Sequence, residues 1–223
     1  MSLWIKICGN TSLADARLAV EAGADAVGFI FAPSPRRVTA AQAAAIVPHL
    51  PATVEKIGVF VDAALDEIYS TVRACGLTGV QLHFEAGPEL PAKLRHLLGP
   101  KLRILRVVHF DAGAVKLLKK QVAEHDRDPH VDAVLVDSRT ATVVGGTGAA
   151  FDWAAACKTL FQNAKARKRR IAAGGLNPAN VAEAIAALRP WGVDVVSGVE
   201  SAPGKKDPEK VREFVTRARA AFP

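Results

Sequence analysis

One pattern governs what this chain can fold into. A short apolar run rich in β-branched residues is followed by a polar or glycine turn. An amphipathic stretch rich in Ala and Leu comes next, and the unit recurs eight times. The strand candidates are 4–8, 26–31, 56–61, 79–83, 102–109, 133–136, 171–173 and 193–197. The helix candidates are 13–22, 40–48, 64–75, 88–98, 112–124, 152–165, 178–188 and 208–221. The strand runs are continuously apolar rather than alternating, as expected of strands covered on both faces. Helix punctuation agrees with this division. Ser12 is placed to cap the first helix, with Asp15 at the third position and Gly23 as its stop. Asn177 and Asp207 each stand before a proline, a capping side chain ahead of the first helical position. Val211, Phe214, Val215, Ala218 and Phe222 recur at helical spacing and give the last helix one apolar stripe.

Eight strand–helix units with no linker or change of composition predict one α/β domain over residues 1–223, a single (β/α)8 TIM barrel. An open doubly wound sheet would carry a GxGxxG or P-loop turn after an early strand, and the first turn, CGNTSL, has neither. The chain has 223 residues, half of them hydrophobic, enough for one large core. No run approaches ~18 apolar residues, so no membrane span is expected. The N-terminus lacks the pattern of a signal peptide, which makes the expected compartment cytoplasmic. Cys8, Cys75 and Cys157 are widely spaced with no CxxC pair, and they read as reduced thiols rather than a disulfide framework or zinc site. The net charge is +7, with one dense run in Lys165, Arg167, Lys168, Arg169 and Arg170. That run reads as a solvated helix end, since cations favour the last turn of a helix. With no RNA-binding aromatic motif or finger spacing, no nucleic-acid partner is expected.

In a parallel barrel every strand ends at the same face, and active sites are built there. The strand ends bring together Cys8-Gly9, the loop 32–37, Asp62, His83, His109-Phe110, Asp137, Gly174-Gly175 and Ser197-Gly198. The late loops supply glycine and hydroxyl, in Gly145-Gly146-Thr147-Gly148, in Gly174-Gly175 and in Ser197-Gly198. Glycines let backbone N–H groups approach an anion closely. Loops after strands seven and eight form the usual phosphate cradle of such barrels, so a small phosphorylated ligand is expected. The early and middle loops supply Cys8, Arg36 or Arg37, and Asp137, which suit a base, an anion clamp and an acid. Cys75 and Cys157 fall within helix candidates and read as inert filler. Asp137 closes the apolar run AVLV, where an unpaired ionised carboxylate would cost several kcal/mol. It must be paired, exposed or kept neutral, and the last state suits a general acid. Cys8, His83, His109 and Asp137 could converge on a metal. No HxH or HExxH spacing supports this, His109 reads as pointing outward, and no metal is expected.

Matching pieces then run in order along nearly the whole chain: KICGNT (6–11), EAGADAVGFIF (21–31), SPRRV (34–38), GVFVD (58–62), VQLH (80–83), VLVDS (134–138), GGTG (145–148), FDW (151–153), AGGLNPANV (173–181) and DVVSGVESAPGKKD (194–207). With them the sequence resembles the phosphoribosylanthranilate isomerase family of tryptophan biosynthesis. The resemblance implies an Amadori rearrangement of N-(5′-phosphoribosyl)anthranilate to 1-(2-carboxyphenylamino)-1-deoxyribulose 5-phosphate. No cofactor is implied, because the substrate's own nitrogen drives the chemistry through a Schiff base. By the resemblance, Cys8 is the general base that takes the C2′ proton and Asp137 is the general acid at the ribose ring oxygen. Arg36 holds the anthranilate carboxylate, and Gly146, Gly175, Ser197 and Gly198 line the phosphate site. The chain departs from the family in its short FAPSPRR loop with adjacent arginines. Phe84 replaces the usual glycine after QLH, and Val196 the first serine of DVSSGVE. The segment 119–132 is longer than a helix and turn require, and no function is assigned to it. Related barrels that isomerise a histidine-pathway aminoaldose carry aspartate at the position of Cys8, so the cysteine favours the narrower substrate. A non-catalytic binder of a phosphate ligand or nucleic acid would have no use for Cys8 and Asp137. Monomer and homodimer both remain open.

Overall fold

Side chains alternate across a β-strand, so a strand covered on both faces serves two different interiors. This happens eight times here. The computed structural model describes residues 2–83, 87, 89–110, 112–137, 160–161 and 168–222. Its barrel strands are β1 (Trp4–Ile7), β2 (Ala26–Ile30), β3 (Glu55–Phe60), β4 (Gly79–Leu82), β5 (Arg103–His109), β6 (Ala133–Asp137), β7 (Arg169–Ala173) and β8 (Gly192–Val195). They are parallel, pair in chain order, and close by pairing β8 with β1, which sets Lys6 opposite Asp194. One buried cluster, including Ile5, Ile7, Phe29 and Phe60, lies between the strands and the surrounding helices. The second, including Trp4, Ala26, Ile57, Leu105, Leu135 and Ile171, fills the barrel itself.

The helices are α1 (Leu13–Glu21), α2 (Ala40–Ile46), α3 (Leu65–Cys75), α4 (Glu89–Leu98), α5 (Val115–Arg127), α6 (Val181–Leu188) and α7 (Pro208–Ala221). The helix expected over 152–165, and Cys157 with it, lies outside the described residues apart from 160–161. Ser12 accepts from the Asp15 N–H at 3.1 Å, and Asp207 accepts from the N–H groups of Glu209 and Lys210, as their positions predict. Asn177 also caps, accepting from Ala179 and Asn180, but residues 178–180 form a turn and α6 starts only at Val181. Thr39 and Gln42 form a reciprocal capping box on α2 that the sequence reading did not pick out. No helix among the described residues is long and apolar enough to cross a membrane.

The basic run needs correction. Strand β7 begins at Arg169, so Arg169 and Arg170 belong to a strand and not to a helix end. The Arg170 side chain is buried and pairs with Asp126 at 2.7 Å. The Arg169 guanidinium lies 4.5 Å from the ring centre of Trp191, which stacks on Trp4 at the barrel floor. A buried guanidinium is tolerated because a carboxylate and carbonyls meet its donors, and the Leu160 and Lys168 carbonyls complete that set. Asp126 lies in α5, which runs to Arg127 and takes up most of the long segment 119–132. After β8 a small antiparallel hairpin, β9 (Glu200–Ala202) and β10 (Lys205–Lys206), folds back toward the barrel mouth.

Candidate active site

A cavity of about 190 Å³ opens at the carboxyl ends of the strands. Cys8, Arg36, Asp137, Gly175 and Ser197 all line it, together with His83, Asp194 and Val196. Gly198 follows at the start of the next turn. A side chain there would collide with the Leu176 carbonyl, so the loops after β7 and β8 meet backbone to backbone. Gly146 and Phe84 lie outside the described residues.

The loop after β1 is fixed from several sides. Cys8 donates its N–H to the Val195 carbonyl at 2.9 Å. Gly9 has φ +74°, a left-handed turn that favours glycine. The buried Asn10 amide donates to the carbonyls of Ile7 (2.8 Å) and Gly28 (3.2 Å). The Cys8 carbonyl accepts from Lys206 Nζ at 2.6 Å. Any side chain at position 28 would run into Cys8 Sγ and crowd Lys6 Cε, so Gly28 makes the room in which the thiol sits. Cys8 is only 2% exposed, and burial pushes its thiol up, with the Lys6 charge opposing that push.

Lys6 points into the barrel two residues before Cys8. Its Nζ donates to Asp194 Oδ1 and to Gln81 Oε1, each at 2.9 Å. Burial alone would lower this lysine, but Asp194 and Cys8 outweigh burial and raise it, so the ammonium stays charged. A lysine ammonium only donates, which fixes the Gln81 oxygen toward it and turns the amide nitrogen to His83 Nε2 at 2.7 Å. His83 Nε2 is therefore the acceptor. The His83 ring lies 5.8 Å from that of His109, which is exposed at the mouth and in register with Asp137. His109 thus faces the mouth and not outward, because it shares the strand parity of Leu105 and Val107, both of the inner cluster. Among the described residues, no group of three or more His, Cys, Asp and Glu side chains is placed to hold a metal ion.

The two adjacent arginines are placed differently. Arg36 lines the cavity and Arg37 is exposed. Arg36 grips Glu200 through Nε (2.8 and 3.0 Å) and Nη2 (2.6 Å), leaving its Nη1 end beyond that pair. Lys206 Nζ also reaches Glu200, at 3.2 Å. Burial would raise the Glu200 carboxyl, but Arg36 and Lys206 together hold it below the ordinary range. Burial lowers Lys206 despite Glu200 and Cys8. Glu200, Lys206, Lys6, Gln81 and Asp194 were not among the residues expected at the site. The available signal was a charge set inside each of the apolar strands WIKI and GVDV, which has to find a partner once both faces are covered.

A family model for N-(5′-phosphoribosyl)anthranilate isomerase matches residues 5–217. The chain belongs to this isomerase family. The N-(5′-phosphoribosyl)anthranilate isomerase of Magnetococcus marinus is 46% identical over 224 residues, covering 99% of this chain and 97% of that protein. The phosphoribosyl anthranilate isomerase structure from Thermotoga maritima has a TM-score of 0.84 at 34% identity and covers 98% of this chain and 99% of that one. A phosphoribosyl anthranilate isomerase solved with reduced 1-(o-carboxyphenylamino)-1-deoxyribulose 5-phosphate has a TM-score of 0.81 at 33% identity, covering 98% and 99%. The fold and activity implied by the sequence therefore hold. The chain is a (β/α)8 isomerase of tryptophan biosynthesis that rearranges N-(5′-phosphoribosyl)anthranilate.

Proposed function

We propose that this isomerase divides its reaction between Cys8 as general base and Asp137 as general acid. Arg36 receives the anthranilate carboxylate, and the turns at Gly146, Gly175 and Ser197-Gly198 receive the phosphate. One observation carries the reading: Cys8, Asp137, Arg36 and the late glycine turn share a single cavity at the strand ends. Asp137 gives its proton to the ribose ring oxygen as the C1′–oxygen bond breaks and the anthranilate nitrogen lone pair forms the Schiff base. Cys8 then takes the proton from C2′, and the electrons of that bond form the C1′–C2′ double bond and neutralise the nitrogen. Protonation at C1′ and loss of the O2′ proton complete the ketone.

The buried thiol needs help to act as a base. Lys6 supplies one positive charge below it, and the cationic Schiff base brings a second beside it. Both favour the thiolate at the moment C2′ gives up its proton. A free catalytic thiol also suits the reducing cytoplasm, the compartment proposed for the reaction.

A positioned acid or base contributes roughly 10²–10⁴ in rate. At ~1.36 kcal/mol per decade, removing either raises the barrier by about 3–5 kcal/mol. Decay of anthranilate fluorescence on freshly made substrate should slow by about 10²–10⁴ in Cys8→Ala and in Asp137→Ala, with unchanged circular dichroism. Near-wild-type decay in either variant overturns the assignment.

A further inference from the structure

Below Cys8, the barrel holds a buried charged pair, of which the acid–base chemistry uses only the Lys6 charge. Lys6 is fully buried and Asp194 is 4% exposed, and β1–β8 pairing sets them face to face. Burying a charge is costly unless it is paired, and such a pair adds little stability that an apolar pair of the same shape would lack. Its value must be sought in what it acts upon. An ammonium has three N–H donors. Lys6 gives one to Asp194 and one to Gln81, and its charge acts on the nearby Cys8 sulfur. Gly28 lets the sulfur and the lysine stem lie over the same spot.

We propose that Lys6 and Asp194 are positioning residues that set the charge state of Cys8 in opposite senses. Lys6 draws the thiol toward thiolate, and Asp194 holds Lys6 in place while restraining its pull. This rests on the reading of Cys8 as the base. The other charged and titratable groups that face Cys8 are Arg36 from the loop after β2, Lys206 from the hairpin, and Asp137 and His83 across the cavity. Arg36 and Lys206 are both engaged by Glu200, whereas the partner of Lys6 is Asp194 and its stem shares the space over Gly28 with the sulfur. Too basic a thiol would not ionise, and too acidic a thiolate would be a poor base. A cation restrained by an anion gives an intermediate setting.

The test is the ¹³Cβ resonance of cysteine followed across neutral and alkaline pH, with the Cys8 signal identified by its loss in Cys8→Ala. Lys6→Met removes the cation, so Cys8 should titrate at higher pH than in wild type. Asp194→Asn removes the anion but keeps an acceptor oxygen for Lys6, so Cys8 should titrate at lower pH. Neutral-pH turnover of Lys6→Met should fall by about tenfold or more, as expected when an adjacent opposite charge is lost. Shifts of opposite sign are a signature that loosened packing does not produce. Shifts of the same sign, or no shift in either variant, overturn the proposal. Should Lys6→Met fail to fold, Asp194→Asn decides alone: a downward shift supports the proposal, and an upward or absent shift overturns it. Retained turnover in Cys8→Ala would sink the base assignment, while the titration would still report on Lys6 and Asp194.

Discussion

Glu200 offers the sharpest perturbation of the site, because one carboxylate serves two cations. Its side chain is 4% exposed, and it meets Arg36 at 2.6 Å and Lys206 at 3.2 Å. Glu200→Gln keeps the shape, removes the charge and turns one acceptor oxygen into a donor. Lys206, with a fully buried side chain, is left facing an amide, and Arg36 loses half of its fork. Breaking a buried pair from one side costs about 3–5 kcal/mol. The Arg36 side chain is 17% exposed and can recover some hydration, so the lower end of about 3 kcal/mol applies. For a chain of this size each kcal/mol moves the melting temperature by about 2–4 °C, which gives a fall of about 6–12 °C. A loosened Arg36 should also raise KM by about tenfold, the loss of one charge-assisted hydrogen bond of about 1.5 kcal/mol. Thermal unfolding followed by circular dichroism reads the first effect, and fluorescence decay over a range of substrate concentrations reads the second. A melting temperature within about 2 °C of wild type with unchanged KM would refute the reasoning.

Two further outcomes follow from the same geometry. Arg36→Lys should raise KM, because a point charge cannot serve Glu200 and a substrate carboxylate as a planar fork does, while Arg37→Lys should leave KM unchanged; equal effects would contradict the placement of Arg36. Glu200 titrates below its ordinary value in the folded chain, so its stabilising contribution is present above the unfolded carboxylate range and is lost as pH falls through the lowered folded value. The urea midpoint should therefore fall more between about pH 6 and about pH 3 in wild type than in Glu200→Gln, and equal falls would count against it.

The barrel was legible because its signal is periodic. Continuous apolar strands between amphipathic helices leave few ways to cover both sheet faces. That Cys8, Arg36 and Asp137 share one cavity was legible for a related reason, since parallel strands deliver their ends to one face whatever the separation in sequence. The charges inside the strands were not. Lys6 and Asp194 are 188 residues apart, and they become neighbours only when β8 closes on β1. Lys206 reaches the Cys8 carbonyl across 198 residues, through a hairpin that folds back on the mouth. His109 was misread because facing depends on where a strand's parity is counted from, and Leu105 of the inner cluster fixes it only in three dimensions. The run at Arg169 and Arg170 looked like a solvated face because its partners, Asp126 and the Trp191 ring, come from other elements.

The central claim is the division of labour between two residues, and cyanoborohydride trapping at neutral pH, which reduces an iminium and leaves a ketone, tests it most directly. Fresh substrate would be reduced in the presence of wild type, Cys8→Ala and Asp137→Ala, and the open-chain amine and ketose product separated. Cys8→Ala should open the ring without isomerising it, giving reduced Schiff base above the buffer level and no enzyme-dependent ketose. Asp137→Ala should give neither above buffer. Ketose formed by Cys8→Ala at the wild-type rate, or ring opening by Asp137→Ala as fast as by wild type, would contradict the account.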